Sequence, residues 1–191
     1  NSNLVCLYSS ITLKIKTATS VEGIMAKNNR LARLVKATAR LPQGIRTALL
    51  SKTFGRVVPM VGSAKIRYEE MSASKVVVSM ANHKAMQNHI GQIHACAMAL
   101  LAETATGFVT AMNVPDSAVV LIKSLKVDFK RPTKGALTAV ATLTAEQQQL
   151  MQSSDKGETL VQVVVRDESG EAPIQCEMLW AWIAKKQLKQ T

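Results

Sequence analysis

One stretch constrains this chain more than any other: Ile93 to about Phe108 or Met112, IHACAMALLAETATGFVTAM, apolar nearly throughout and interrupted by a single carboxylate, Glu103. A helix apolar on every side has no face to offer water, so it is buried. A carboxylate inside such a helix must be paired, hydrogen-bonded or neutralised. Glu103 is therefore either a tolerated irregularity, partnering a buried basic or amide group, or the reason the helix exists. Ahead of it lies a polar, glycine-containing loop, Asn88-His89-Ile90-Gly91-Gln92.

Strand patterns supply what such a helix needs as cover. Ala64, Ile66 and Tyr68 alternate with Lys65, Arg67 and Glu69, the pattern of a half-buried strand. Lys75–Met80 is a Val-rich strand. Beyond the apolar helix come strands at Val119–Phe129, Leu137–Leu143, Leu160–Val165 and Ile174–Ile183, with Gln147–Lys156 as a polar loop or bulge. On the third strand Leu125, Val127 and Phe129 alternate with Lys126, Asp128 and Lys130, and a turn at Arg131-Pro132-Thr133-Lys134-Gly135 follows. Upstream, Asn29–Leu41 reads as an amphipathic helix with Leu31, Leu34, Val35 and Leu41 on one stripe. Pro42-Gln43-Gly44 breaks it, and a weaker helix runs from Ile45 to Thr53. Two helices, two strands, one apolar helix and four strands make an α+β domain, not alternating βαβ units.

The pattern Asn88-x-x-Gly91-x-x-His94-Ala95 followed by Glu103 resembles the central-helix signature of hotdog-fold acyl-CoA thioesterases. The likeness is greatest to the phenylacetyl-CoA thioesterase-like group and a branch reading NHxGxxxAGA…E, and it runs from about Ser63 to Ile183. Cys96 departs from it, standing where that pattern has glycine. The resemblance implies a hotdog fold, an antiparallel sheet wrapped around one helix, with the N-terminal helices added. It implies an acyl-CoA or related acyl thioester as substrate, with CoA belonging to the substrate and no separate cofactor. By the same resemblance, Glu103 is base or nucleophile, the Ala95 amide polarises the thioester carbonyl, Asn88 positions substrate or water, and Gly91 shapes the loop. The competing readings are a non-catalytic acyl-CoA binding protein and a DNA-binding regulator using the basic helices.

Helix geometry adds a constraint of its own. Ala95 and Glu103 are eight positions apart, roughly 12 Å along a continuous helix at about 1.5 Å per residue. Oxyanion donors and a general base must each come within about 3 Å of the reacting group. One chain cannot bring both to one thioester, whereas two antiparallel copies can, so catalysis requires a homodimer, or a tetramer built from dimers. Other constellations carry less. His83, His89 and His94 have no metal-binding spacing with Glu103, and no metal is expected. His94 can orient the loop, cap the helix or act directly in catalysis. Cys96 reads as a small buried hydrophobe. Ser124 is a polar candidate on the third strand. Arg131, with Lys126, Lys130 and Lys134, is the candidate set for CoA phosphates by the family resemblance, Arg131 first because a guanidinium binds phosphate bidentately. The same charges would also suit a sheet edge that resists aggregation.

The net charge of +11 is uneven: from Lys27 to Arg67 there are ten Lys or Arg and no Asp or Glu. Such a surface favours anionic partners, whether nucleotide phosphate or a peripheral membrane contact, or else is simply solvated. Three widely spaced cysteines, Cys6, Cys96 and Cys176, make no CxxC pair, which argues against a disulfide framework and makes a reducing cytoplasm the simplest home. Residues 1–24 read as a translated leader or an added segment, with Met25 as a natural start. The domain plan is then a basic helical extension at 25–62, a hotdog domain at 63–184 and a polar tail at 185–191.

Overall fold

The computed structural model describes residues 29–188. The expected leader, Met25 and the end of the tail lie outside them. Three helices come first: α1 (Arg30–Ala37), α2 (Gln43–Val57) and α3 (Pro59–Ser63). Then come β1 (Arg67–Met71), β2 (Lys75–Met80) and the central helix α4 (Ala95–Ala111). After it follow β3 (Ala118–Phe129), β4 (Leu137–Thr142), α5 (Ala145–Ser153), β5 (Gly157–Asp167), β6 (Ile174–Ala184) and a last helical turn, α6 (Lys185–Leu188). The strands form one sheet in the order β1-β2-β4-β5-β6-β3, with every neighbouring pair antiparallel. Its concave face wraps α4, which is the hotdog fold.

Side-chain size explains how close the helix lies. Ala139 and Ala141 on β4 and Ala102 and Ala105 on α4 are fully buried, and small residues facing each other let backbone approach backbone. Val76, Val78 and Met80 on β2 and Leu101 on α4 fill the remaining volume at zero exposure. Truncating Leu101 to alanine would cost about 2–5 kcal/mol. On β6, Trp180 packs against α4 at Gly107, where an added Cβ would sit 2.8 Å from the indole. Its Nε1 donates to Thr106 Oγ1 at 2.9 Å.

The N-terminal helices are fastened to this core by polar side chains. Asn29 caps α1 by accepting from the Ala32 amide at 2.7 Å, and its amide donates to the carbonyls of Ala111, the last residue of α4, and of Val114 just beyond it. Arg46 Nη2 donates to Met71 O at 3.0 Å, and the Tyr68 amide donates to Ser51 Oγ at 3.0 Å. Gly62 on α3 crosses Gly55 on α2 so closely that a Cβ on Gly62 would lie 2.3 Å from the Gly55 carbonyl oxygen.

Several expectations need correction. Residues 145–153 form a helix, not a loop: Thr144 and Gln147 close a reciprocal capping box, and Met151 is buried. α3, with Pro59 at its start, is a third helix where two were expected. On α1 the buried stripe is Ala32 and Val35, while Leu34 and Leu41 are exposed. Cys96 is exposed, not buried, because position 96 falls on the outer side of the first turn of α4. On β3 the alternation is present but its apolar residues lie open on both faces: Leu121, Ile122, Leu125 and Phe129 are 39–53% exposed. That strand is the sheet edge beside β6, and a register shift at Ile122/Ser124 leaves Ser124 exposed as well.

Candidate active site

The loop before α4 is built by Asn88. Its Oδ1 accepts from the amides of Ile90 and Gln92, both at 3.1 Å, while its backbone N–H donates to Gln92 O at 2.7 Å and its carbonyl accepts from the Gly91 amide at 3.1 Å. Gly91 takes φ +76 with open space around it, a conformation that glycine adopts without strain. Asn82 donates to Gly91 O at 3.1 Å, pinning the loop to the end of β2. Asn88 Oδ1 is therefore spent on the turn, and its amide nitrogen makes no hydrogen bond among the described residues. His94 caps α4, its Nδ1 accepting from the Cys96 amide at 3.1 Å, so in the neutral ring the proton sits on Nε2. The Ala95 amide, first in the helix, has no acceptor among the described residues. It is an orphan donor at the positive end of the helix dipole.

Two turns further along, Glu103 faces a different setting. A cavity of about 540 Å³ opens beside it, lined mostly by apolar groups: Leu34 on α1, Phe54 and Val57 on α2, Val61 on α3, Phe108 on α4 and Trp180 on β6. The Glu103 carboxylate has no hydrogen-bond or ion-pair partner among the described residues, so no basic or amide group there pairs it. Burial pushes its pKa above the ordinary carboxylate value. The hydroxyl of Thr104, whose residue also lines the cavity and is only 2% exposed, is likewise without a partner. So is the hydroxyl of Tyr68, which packs its ring edge-on against Phe54 and Phe108 at centroid distances of 4.9 Å. Burial, and then the charge of Glu103, drive the Tyr68 pKa well above normal.

The structure thus brings Asn88, Gly91, His94 and Ala95 together at one end of α4 and sets Glu103 apart from them within a single chain. The proposed phosphate set divides too. Arg131 donates to Asp167 at 2.9 Å and Ser169 at 3.0 Å, and lies 3.2 Å from Glu171, clamping the β3–β4 turn to the β5–β6 hairpin. Asp167 is buried, and the Arg131 guanidinium holds its carboxyl far below the usual range. Lys126 pairs with Glu177 at 3.2 Å on the exposed surface. Lys130 and Lys134 have no ion-pair partner among the described residues. Neither His83, whose Nε2 lies 3.1 Å from Ala64 O, nor exposed His89 joins a metal-holding cluster, and among the described residues no such cluster occurs.

Residues 46–183 match a family described as a domain of unknown function, DUF4442. The chain belongs to the DUF4442 family. The matched span begins within α2, so the family takes in part of the helical cap as well as the sheet. No curated protein sequence matches the chain. Among solved structures, a Pseudomonas aeruginosa protein of unknown function named a "probable thioesterase" superposes with TM-score 0.65 at 24% identity, over 72% of this chain and 95% of that one. A thioesterase from Haemophilus influenzae gives 0.58 at 14%, covering 85% and 96%. A thioesterase family protein from Silicibacter pomeroyi gives 0.58 at 16%, covering 72% and 98%. At these identities the likeness establishes the shared fold.

Within this DUF4442 chain, sequence reasoning missed Thr104, Tyr68 and the part of α1–α3 in walling the cavity. Thr104 follows the recognised acid directly, and its neighbours Ala102 and Ala105 marked that segment as buried, so an unpaired hydroxyl there was open to question from the sequence. Nothing local in the sequence pointed Tyr68 toward Glu103.

Proposed function

We propose that this DUF4442 chain is a thioesterase, hydrolysing an acyl-CoA or related acyl thioester at sites shared between two copies of the chain. The observation that carries the reading is Glu103: an unpartnered, partly buried carboxylate at the wall of an apolar cavity of about 540 Å³, within the roughly 300–1,000 Å³ range of small-molecule sites. An acyl chain suits the apolar wall. Glu103 acts as general base toward water or as nucleophile, and the Ala95 amide, aided by the helix dipole, stabilises the oxyanion. The side-chain nitrogen of Asn88, which makes no hydrogen bond among the described residues, positions water or substrate. The 12 Å or so between Ala95 and Glu103 along α4 requires the two halves to come from different chains.

The edge strand β3 supports such a pairing. Its long unpaired rim and open apolar residues Leu121, Ile122, Leu125 and Phe129 form a surface that a two-fold copy would cover. CoA phosphates then fall to Lys130 and Lys134, whose ammonium groups are unpaired, more than to Arg131, which is engaged by Asp167. No helix among the described residues is long and apolar enough to cross a membrane.

A panel of aliphatic and aromatic acyl-CoAs, assayed by thiol release, tests the reading. Turnover that disappears in Glu103→Ala supports it. Saturable acyl-CoA binding with no turnover by the parent protein would replace it with the acyl-binding alternative.

A further inference from the structure

We propose that the helical cap, α1 to α3, is a docking surface for an anionic lipid bilayer. Three observations meet there. First, residues 29–66 carry no Asp or Glu. Arg33, Lys36, Arg40, Lys52 and Arg56 in that span are exposed and have no ion-pair partner among the described residues. Second, large apolar side chains stand exposed among these cations: Leu41 at 37%, Ile45 at 58%, Leu49 at 45%, Val57 at 72% and Met60 at 62%. On α2, Ile45, Leu49, Lys52 and Arg56 recur at helical spacing, so apolar and cationic groups share one outward stripe. Third, Leu34 and Val57 are exposed and also line the Glu103 cavity. The open apolar surface therefore continues into the cavity.

Charge decides among the occupants of such a face. A second copy set symmetrically against it would bring unpaired cations onto unpaired cations. A nucleic acid would answer the charges and leave Ile45, Leu49 and Met60 in water. A bilayer bearing anionic headgroups answers both: its surface attracts Lys and Arg, and its interfacial region accepts the apolar side chains. Docked this way, the mouth of the cavity meets the phase in which amphiphilic long-chain molecules collect.

The test is co-sedimentation of the full chain with vesicles of phosphatidylcholine alone and of phosphatidylcholine with phosphatidylglycerol. Binding to the anionic vesicles should exceed binding to the neutral ones by at least about tenfold and weaken with salt. The triple variant Arg33→Gln, Lys36→Gln, Arg40→Gln should weaken it by about a hundredfold, since each interfacial cation contributes on the order of 1 kcal/mol. The double variant Ile45→Ser, Leu49→Ser should weaken it without altering the oligomeric mass, as these side chains are already exposed. Absence of anionic-vesicle binding overturns the proposal, as does binding that the triple variant keeps. Loss of an oligomer in the double variant would overturn it in favour of a protein interface. Tight binding to duplex DNA that survives the double variant would overturn it in favour of nucleic acid.

Discussion

The two regions of α4 that carry the candidate chemistry differ in how their polar groups are answered. At the N-terminal end, the Asn88 side-chain oxygen, the Gly91 and Gln92 amides and the His94 Nδ1 are taken up by the loop and the first helical turn, leaving the Asn88 side-chain nitrogen and the Ala95 amide as donors without a partner among the described residues. The middle of the helix is the reverse: Glu103, Thr104 and Tyr68 present buried or half-buried polar atoms that no other described residue satisfies. Buried polar groups in folded proteins are nearly always paired. A closed network such as the Asn88 turn is a scaffold, preorganised before anything binds. An open cluster such as that around Glu103 leaves polar atoms free to meet a ligand or a second copy, as the proposed function requires.

The sharpest break of this contrast is Glu103→Gln, which should lower kcat at least about a hundredfold if Glu103 is the base. The same variant should be more stable than the parent at pH 8 and converge with it at low pH, as followed by thermal melting. The sign follows from the raised carboxyl pKa. Between the ordinary carboxylate value and the raised one, the folded chain holds a proton that the unfolded chain has released, so stability falls as pH rises through that window. Activity should rise through the same window as the base form appears. Retained turnover within a few-fold removes Glu103 from the chemistry.

Next in size is complementation. Mixing Asn88→Ala with Glu103→Ala and allowing subunit exchange gives heterodimers with one doubly damaged site and one intact site. Activity should recover to about half that of the parent per heterodimer, on two-fold symmetry. Inactive heterodimers, verified by mass, would put both residues in one chain's site.

Asn88→Asp probes the closed end more gently. The carboxylate keeps an acceptor for the Ile90 and Gln92 amides and removes the free donor. Folding should be intact while kcat falls about tenfold or more, the lower part of the range for a misplaced reacting group. Full activity in Asn88→Asp with loss in Asn88→Ala would make the residue a turn former only. The smallest effect is expected from Thr104→Val, which fills the same space without the unpaired hydroxyl. Stability should hold or rise slightly, and KM for acyl-CoA should rise a few-fold if that hydroxyl meets the substrate.

Legibility from sequence followed how local the signal was. α4, β2 and β6 declared themselves by long apolar or alternating runs, and the Asn88–Glu103 spacing pointed to a helix with a polar loop ahead of it. Residues 145–153 were misread because Gln and Glu dominate them, although Thr144-x-x-Gln147 carried the helix-start signal. β3 had the right alternation with the wrong cover, because a period of two says which residues share a face and not what lies over it. Arg131 was read by its charge. Its carboxylate partner sits 36 residues away on β5, a distance that no local pattern spans. The cavity was invisible for the same reason, since its wall is assembled from α1, α2, α3, α4 and two strands.

The unanswered carboxylate has a consequence for descent. Most substitutions destabilise, and selection removes only those that fall below the threshold for function. Glu103 reverses the usual direction, for its neutral replacements relieve the fold of a desolvated charge. In a lineage that stopped using the site, drift would therefore discard this acid early, before the glycine that admits Trp180 or the asparagine that ties α1 to α4. Among DUF4442 chains, those that keep an acid at this position are the ones to assay first.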